Sequence, residues 1–108
     1  MTGLWFVAEV DSLPPGQART VEVMGRRFAL ANVDGHFFAV ADRCPHRGGP
    51  LGAGYLEGCV LHCPMHGWGF DMSTGACDVR PDQPVQTYPV HVRDDQVWLE
   101  IGDPASCG

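Results

Sequence analysis

The sequence predicts an all-β fold of short antiparallel strands, and three observations carry that expectation. Apolar residues come in short runs rich in β-branched and aromatic side chains. No segment sustains a period near 3.6 residues. Gly and Pro, at 14 and 9 of 108 residues, interrupt the chain at close intervals. Strands are expected over Trp5 to Val10, Arg19 to Met24, Arg27 to Val33, Phe37 to Ala41, Cys59 to His62, Trp68 to Met72, Tyr88 to Arg93 and Gln96 to Ile101. Several short strands at such spacing fit a sandwich or small barrel better than parallel units with crossover helices.

The turns between them have specific chemistry. Asp34-Gly35 between Val33 and His36 is the strongest short hairpin signal, because both central residues must tolerate positive φ. Met24-Gly25 and Asp94-Asp95 can close similar hairpins, and Ser73-Thr74-Gly75 can turn the chain after Met72. Two stretches break this rhythm, Cys44 to Gly54 and Cys63 to Gly69, each dense in Gly, Pro, Cys and His. A third loop, Arg80 to Pro84, is stiffened by two prolines that fix φ and remove backbone donors.

At 108 residues with 44% hydrophobic composition the chain is expected to form one domain, residues 1–108. Thirteen acidic residues against seven basic ones give a formal charge of -6, which disfavours nucleic acid or an anionic membrane as partner and favours a basic protein surface. No apolar run reaches the roughly 18–20 residues of a membrane span. Met1 to Val10 lacks the features of an export signal, so a cytoplasmic protein is expected. Five cysteines cannot all pair within one chain, and in a reducing compartment metal ligation is the better reading of paired Cys and His.

Cys44-Pro45-His46 supplies one thiolate and one imidazole, and Cys63-Pro64-Met65-His66 supplies the same pair. Two soft thiolates can hold one iron of a [2Fe-2S] cluster while two neutral imidazoles hold the other, each loop giving one ligand to each iron. Gly48, Gly49, Gly67 and Gly69 follow the ligands, where a missing Cβ lets backbone N–H groups approach the sulfides. A structural zinc site of two Cys and two His offers the same donor count and stands as the alternative from another class; it would be colourless.

Cys44-Pro45-His46-Arg47-Gly48-Gly49-Pro50-Leu51 and Cys63-Pro64-Met65-His66-Gly67-Trp68-Gly69-Phe70 resemble the two boxes of Rieske proteins. The resemblance is specific from Cys44 to Gly75, including Leu51, Gly54, Leu56 and Gly58, and extends more loosely to Thr87-Tyr88-Pro89-Val90. It implies a Rieske fold, an antiparallel β-sandwich base carrying a two-loop cluster-binding subdomain at about residues 43–84. One [2Fe-2S] cluster would be held by Cys44, His46, Cys63 and His66, with both imidazoles at the exposed tip.

The branch it resembles is the ferredoxin of bacterial ring-hydroxylating dioxygenase systems. Respiratory Rieske subunits carry an extra Cys in each loop, where this chain has Gly49 and Met65, and hydroxyl side chains where it has Trp68 and Phe70. Losing two hydroxyl donors implies a potential toward the low end of the Rieske range, roughly -150 mV. Catalytic oxygenase subunits share the boxes but need a mononuclear iron bound by two His and a carboxylate, for which only His36, His62 and His91 remain.

The resemblance thus implies a monomeric electron carrier and not an enzyme. It would accept electrons from an NAD(P)H-dependent flavoprotein reductase and pass them to a terminal oxygenase, docking transiently at the His46/His66 tip. A small Rieske subunit of an assimilatory nitrite reductase is a second reading of the same residues. Cys59 and Cys77, in or beside strands, read as packing. Cys107 reads as an exposed terminal thiol, His62 as a polar strand residue, and Trp68 and Phe70 as packing that keeps water out. Arg47, beside His46, reads equally as partner-facing rim or solvated charge.

Overall fold

The computed structural model describes residues 2–43, 50–64 and 67–102. Cys44, His46 and His66, along with Arg47, Gly48, Gly49, Met65 and Cys107, lie outside the described residues. The strands are β1 (Thr2–Glu9), β2 (Ala18–Val23), β3 (Arg26–Val33), β4 (His36–Ala41), β5 (Tyr55–Glu57), β6 (Val60–His62), β7 (Gly69–Asp71), β8 (Thr87–Tyr88), β9 (Val90–Arg93) and β10 (Gln96–Gly102). They form three antiparallel sheets, ordered β1-β10-β9, β2-β3-β4-β8 and β5-β6-β7. The all-β, antiparallel expectation holds.

The hairpins close where the turn residues predicted. Met24 and Gly25 (φ 51° and 75°), Asp34 and Gly35 (51° and 91°), and Asp94 and Asp95 (50° and 61°) all take the left-handed conformation that matches the twist of the flanking strands. Asn32, buried at the end of β3, serves the second hairpin twice. Its Oδ1 accepts from the Gly35 N–H at 2.7 Å, and its Nδ2 donates to the Leu13 carbonyl at 2.8 Å.

Two expectations need correction. The single strand expected over Tyr88 to Arg93 is two: β8 pairs with β4 and β9 pairs with β10, in different sheets. Pro89, which has no N–H to extend a ladder, separates them, and its carbonyl accepts from Glu100 N–H at 3.0 Å. A strand over Tyr55–Glu57 was not expected; three residues are too few to display a period of two, and Gly58 at φ 60° turns this strand onto β6. Strand ends elsewhere shift by one to three residues, with β6 starting at Val60 and β7 spanning Gly69–Asp71.

The central sheet is buried on both faces. Phe28 and Leu30 of β3 join Val97, Leu99 and Ile101 of β10 in one core, while Ala29 and Ala31 join Leu51, Leu61, Cys63, Phe70 and Met72 in a second. Because successive side chains point to opposite faces, β3 offers bulk to the β1-β10-β9 sheet and only methyl groups to the loop-bearing β5-β6-β7 sheet. Small residues there leave room for Leu51, Leu61 and Phe70, all 0% exposed, to pack close to the backbone of β3.

Candidate metal centre

Cys63 directly follows β6 and opens the second loop. Its N–H donates to the Trp68 carbonyl at 2.8 Å, and its own carbonyl accepts from the Gly67 N–H at 2.9 Å, so the chain leaves and returns at one point. Gly67 makes the return possible at φ 76°. The Cys63 side chain is 1% exposed, at the edge of the second core. At the loop's exit the Gly69 N–H donates to Asp78 Oδ1 at 2.8 Å, and the Asp78 N–H donates back to the Gly69 carbonyl at 2.8 Å. A Cβ on Gly69 would lie 2.6 Å from Asp78 Oδ2 and 2.7 Å from Val60 Cγ1, so any larger residue must displace this clamp.

The first loop is closed by a buried carboxylate. Asp42 Oδ1 accepts from the Gly52 N–H at 2.6 Å and Oδ2 accepts from the Thr20 hydroxyl at 3.0 Å. Its own N–H donates to the Arg27 carbonyl at 3.2 Å. Gly52 belongs to a single 3-10 turn, Leu51–Ala53, anchored by the fully buried Leu51. The next residue joins the two loops: a Cβ on Gly54 would stand 1.8 Å from the carbonyl oxygen of His62, the residue before Cys63. The exit of the first loop therefore lies directly on the strand that enters the second.

His62 ends β6 as a strand residue, as expected, but its ring also braces the second loop. Nδ1 contacts the Gly67 carbonyl at 2.9 Å, Nε2 contacts Glu57 Oε1 at 3.0 Å, and the ring stacks on Tyr55 at 4.7 Å. Phe70 is fully buried and Trp68 half-buried against the second core, in line with packing. Cys77 is buried in that core and Cys59 packs against it, its Sγ 3.8 Å from Asp71 Oδ1. His36 is exposed, and His91 pairs with Glu100 at 3.0 Å. In the turn after β7 the Ser73 hydroxyl and N–H both donate to Asp71 Oδ1, at 2.6 and 2.8 Å, and hold the Asp71 carboxyl below its usual range. In the Pro-rich loop Arg80 grips Asp82 through two hydrogen bonds of 3.1 and 3.0 Å, which lowers the Asp82 carboxyl.

Sequence reading missed Asp42, Thr20 and Asp78 as loop supports. The only signal was a carboxylate at the end of the apolar strand Phe37–Ala41, two residues before the first Cys.

The donor chemistry fits an iron-sulfur cluster. Among the described residues Cys63 forms no disulfide, and it sits buried at the edge of the second core where the second loop opens, a soft donor suited to iron. Glycine backbone follows it in a tight loop, and a second Cys and His box leads into the clamp at Gly52.

Comparison with known proteins agrees. Residues 4–89 match the Rieske [2Fe-2S] domain. The chain is 40% identical, over 91% of its length and 94% of the relative's, to a 3-phenylpropionate/cinnamic acid dioxygenase ferredoxin subunit of Photorhabdus laumondii. It is 38% identical to a 4beta-methylsterol monooxygenase of Methylococcus capsulatus over 94% of this chain, and spans 31% of that longer protein. Among solved structures, a Sphingomonas yanoikuyae B1 ferredoxin superposes with a TM-score of 0.84 at 33% identity, over 93% of this chain and all of that one. The ferredoxin of an oxygenase–ferredoxin complex of carbazole 1,9a-dioxygenase superposes at 0.82 and 31% identity, over 89% of this chain and 91% of that one.

This is a ferredoxin-like electron-transfer domain built on three antiparallel sheets. The chain belongs to the Rieske [2Fe-2S] family and carries one such cluster.

Proposed function

We propose that Cys44, His46, Cys63 and His66 hold the cluster, the two thiolates on one iron and the two imidazoles on the other, and that the chain is a one-electron shuttle of a ring-hydroxylating dioxygenase system. The observation that carries the ligand assignment is the buried Cys63 thiol at the mouth of a glycine-closed loop, held against the exit of the other Cys and His box through Gly54 and His62. When bound, the cluster supplies a site that takes up and gives back one electron. The residues of this chain do the rest. Asp42 and Asp78 fix the two loops, and Leu61, Phe70 and Trp68 keep water from the thiolate side.

The donor is a flavoprotein reductase using NAD(P)H and the acceptor a terminal oxygenase, both met transiently by a monomer in the cytoplasm at the His46/His66 tip. The 40% identity to a dioxygenase ferredoxin subunit favours this role over a permanent subunit of a nitrite reductase. Transient redox encounters favour interfaces under about 1,200 Å². No described helix is long and apolar enough to cross a membrane.

The test is iron and zinc analysis of Cys63→Ser and His66→Ala beside the parent. Loss of bound iron and of visible colour in both variants is expected. Full iron content with unchanged spectra in either would refute the ligand set, and stoichiometric zinc in the parent would favour the interaction module.

A further inference from the structure

All seven basic side chains of this acidic chain are arginines. Three of them, Arg26, Arg27 and Arg43, line a single open cleft of about 590 Å³ whose walls also include Phe28, Asp42 and Tyr88. The cleft forms because β3 begins at Arg26, opposite the end of β4, and β8 brings Tyr88 alongside. Arg26 is held in place. Its Nη2 donates to the Tyr88 hydroxyl at 3.1 Å, and its guanidinium lies 5.3 Å from the centre of the Phe28 ring and 5.8 Å from that of Tyr88. A guanidinium fixed this way has little freedom left to lose on binding.

Arg27 and Arg43 are exposed, and neither forms an ion pair among the described residues. Glu22 stands opposite Arg27 in the β2–β3 ladder without closing on it. Asp42, the carboxylate on the cleft wall, has both oxygens engaged by Gly52 and Thr20. The cleft is thus locally cationic in a molecule of formal charge -6. It also borders the first cluster loop, since Arg43 immediately precedes Cys44.

We infer that this cleft docks an acidic patch of a redox partner protein, with carboxylates received by the forks of Arg27 and Arg43 beside the fixed Arg26. The inference rests on the carrier reading and revises one expectation drawn from net charge, because the partner surface facing this edge is acidic. An open cleft with two exposed guanidinium arms at its rim suits a protein surface, whose several carboxylates it can meet together. Steering by such a patch acts mainly on the rate of encounter and fades with salt.

The test uses the dithionite-reduced holoprotein mixed at low ionic strength with one of two protein acceptors that share a haem: native cytochrome c, a basic surface, and cytochrome c with its lysines succinylated, an acidic one. Arg27→Glu is compared with Arg93→Glu, the same charge change placed on β9 outside the cleft. Arg27→Glu is expected to slow reduction of the succinylated acceptor several-fold, Arg27→Gln by less, and Arg93→Glu to change it little, with the differences vanishing at high salt. Equal slowing by Arg27→Glu and Arg93→Glu would mean that net charge alone steers, and overturns the proposal. Submillimolar binding of inorganic phosphate that Arg27→Glu abolishes would also overturn it, by making the cleft a small-anion site. Loss of transfer to both acceptors in the parent would instead contradict the carrier reading, and the docking proposal would fall with it.

Discussion

Asp42 and Gly52 lie ten positions apart in the chain, yet the carboxylate Oδ1 of the first accepts the backbone N–H of the second at 2.6 Å. One buried side chain thereby closes the segment that contains Cys44 and His46, and Thr20 holds its second oxygen from the central sheet. Asp78 does the same for the exit of the other loop at Gly69.

Removing this clamp should loosen the loop more than the fold. Asp42→Ala leaves the Gly52 N–H and the Thr20 hydroxyl without their partner, a cost of about 1–3 kcal/mol for a buried polar group. Asp42→Asn keeps an acceptor for Gly52 and a donor for Thr20, so it should cost less. Urea unfolding and the rate of cluster release under chelator check both. The expected order of release is Ala fastest, then Asn, then the parent.

The methyl face of β3 is a spacing device. Ala29→Leu adds bulk where Leu51, Leu61 and Phe70 already pack without exposure, so a loss of about 1–3 kcal/mol is expected. A leucine at the exposed β2 position Glu22 should cost far less. Denaturant midpoints of the two variants make the comparison.

Ser73 sets the acidity of Asp71. Its hydroxyl is the largest cause of the lowered Asp71 carboxyl, followed by its backbone N–H, so Ser73→Ala should raise the Asp71 pKa toward the ordinary 3.8. The folded-state value lies below the unfolded one. The associated stability is therefore present above the unfolded pKa and is lost as pH falls through the folded pKa. In Ser73→Ala that acid-side loss should be smaller, because less of the stabilisation exists to lose. Carboxyl titration by NMR, beside acid unfolding curves, reads both effects.

Trp68 occupies a position where the respiratory branch of the family carries a hydroxyl. Trp68→Ser should raise the midpoint potential by restoring a donor that stabilises the more negative reduced state. Protein-film voltammetry of the folded, cluster-loaded variant measures it, and an unchanged or lower value would refute the reasoning.

The parts legible in the sequence were those written in local chemistry. Met24-Gly25, Asp34-Gly35 and Asp94-Asp95 announced their hairpins because tight turns require positive φ, which these residues tolerate. The two Cys and His boxes announced a metal centre because few other roles need a soft and an imidazole donor paired within three positions, twice in one chain. The parts that stayed hidden depend on distance. Phe28-Ala29-Leu30-Ala31 reads as one apolar run, and only the packing shows that its large and small residues face different cores. Tyr88 to Arg93 reads as one strand, whereas Pro89 within it marks the passage between two sheets. The pairing of Asp42 with Thr20, 22 positions away, follows from the fold and has no local signature.

The most direct test of the central claim is pulsed EPR of the dithionite-reduced protein with its iron content. Two irons per chain are expected, with a rhombic signal whose average g lies below the free-electron value and couplings from two histidine nitrogens that disappear when His46 and His66 are replaced. A cluster signal without nitrogen coupling, or zinc in place of iron with no signal at all, would contradict it.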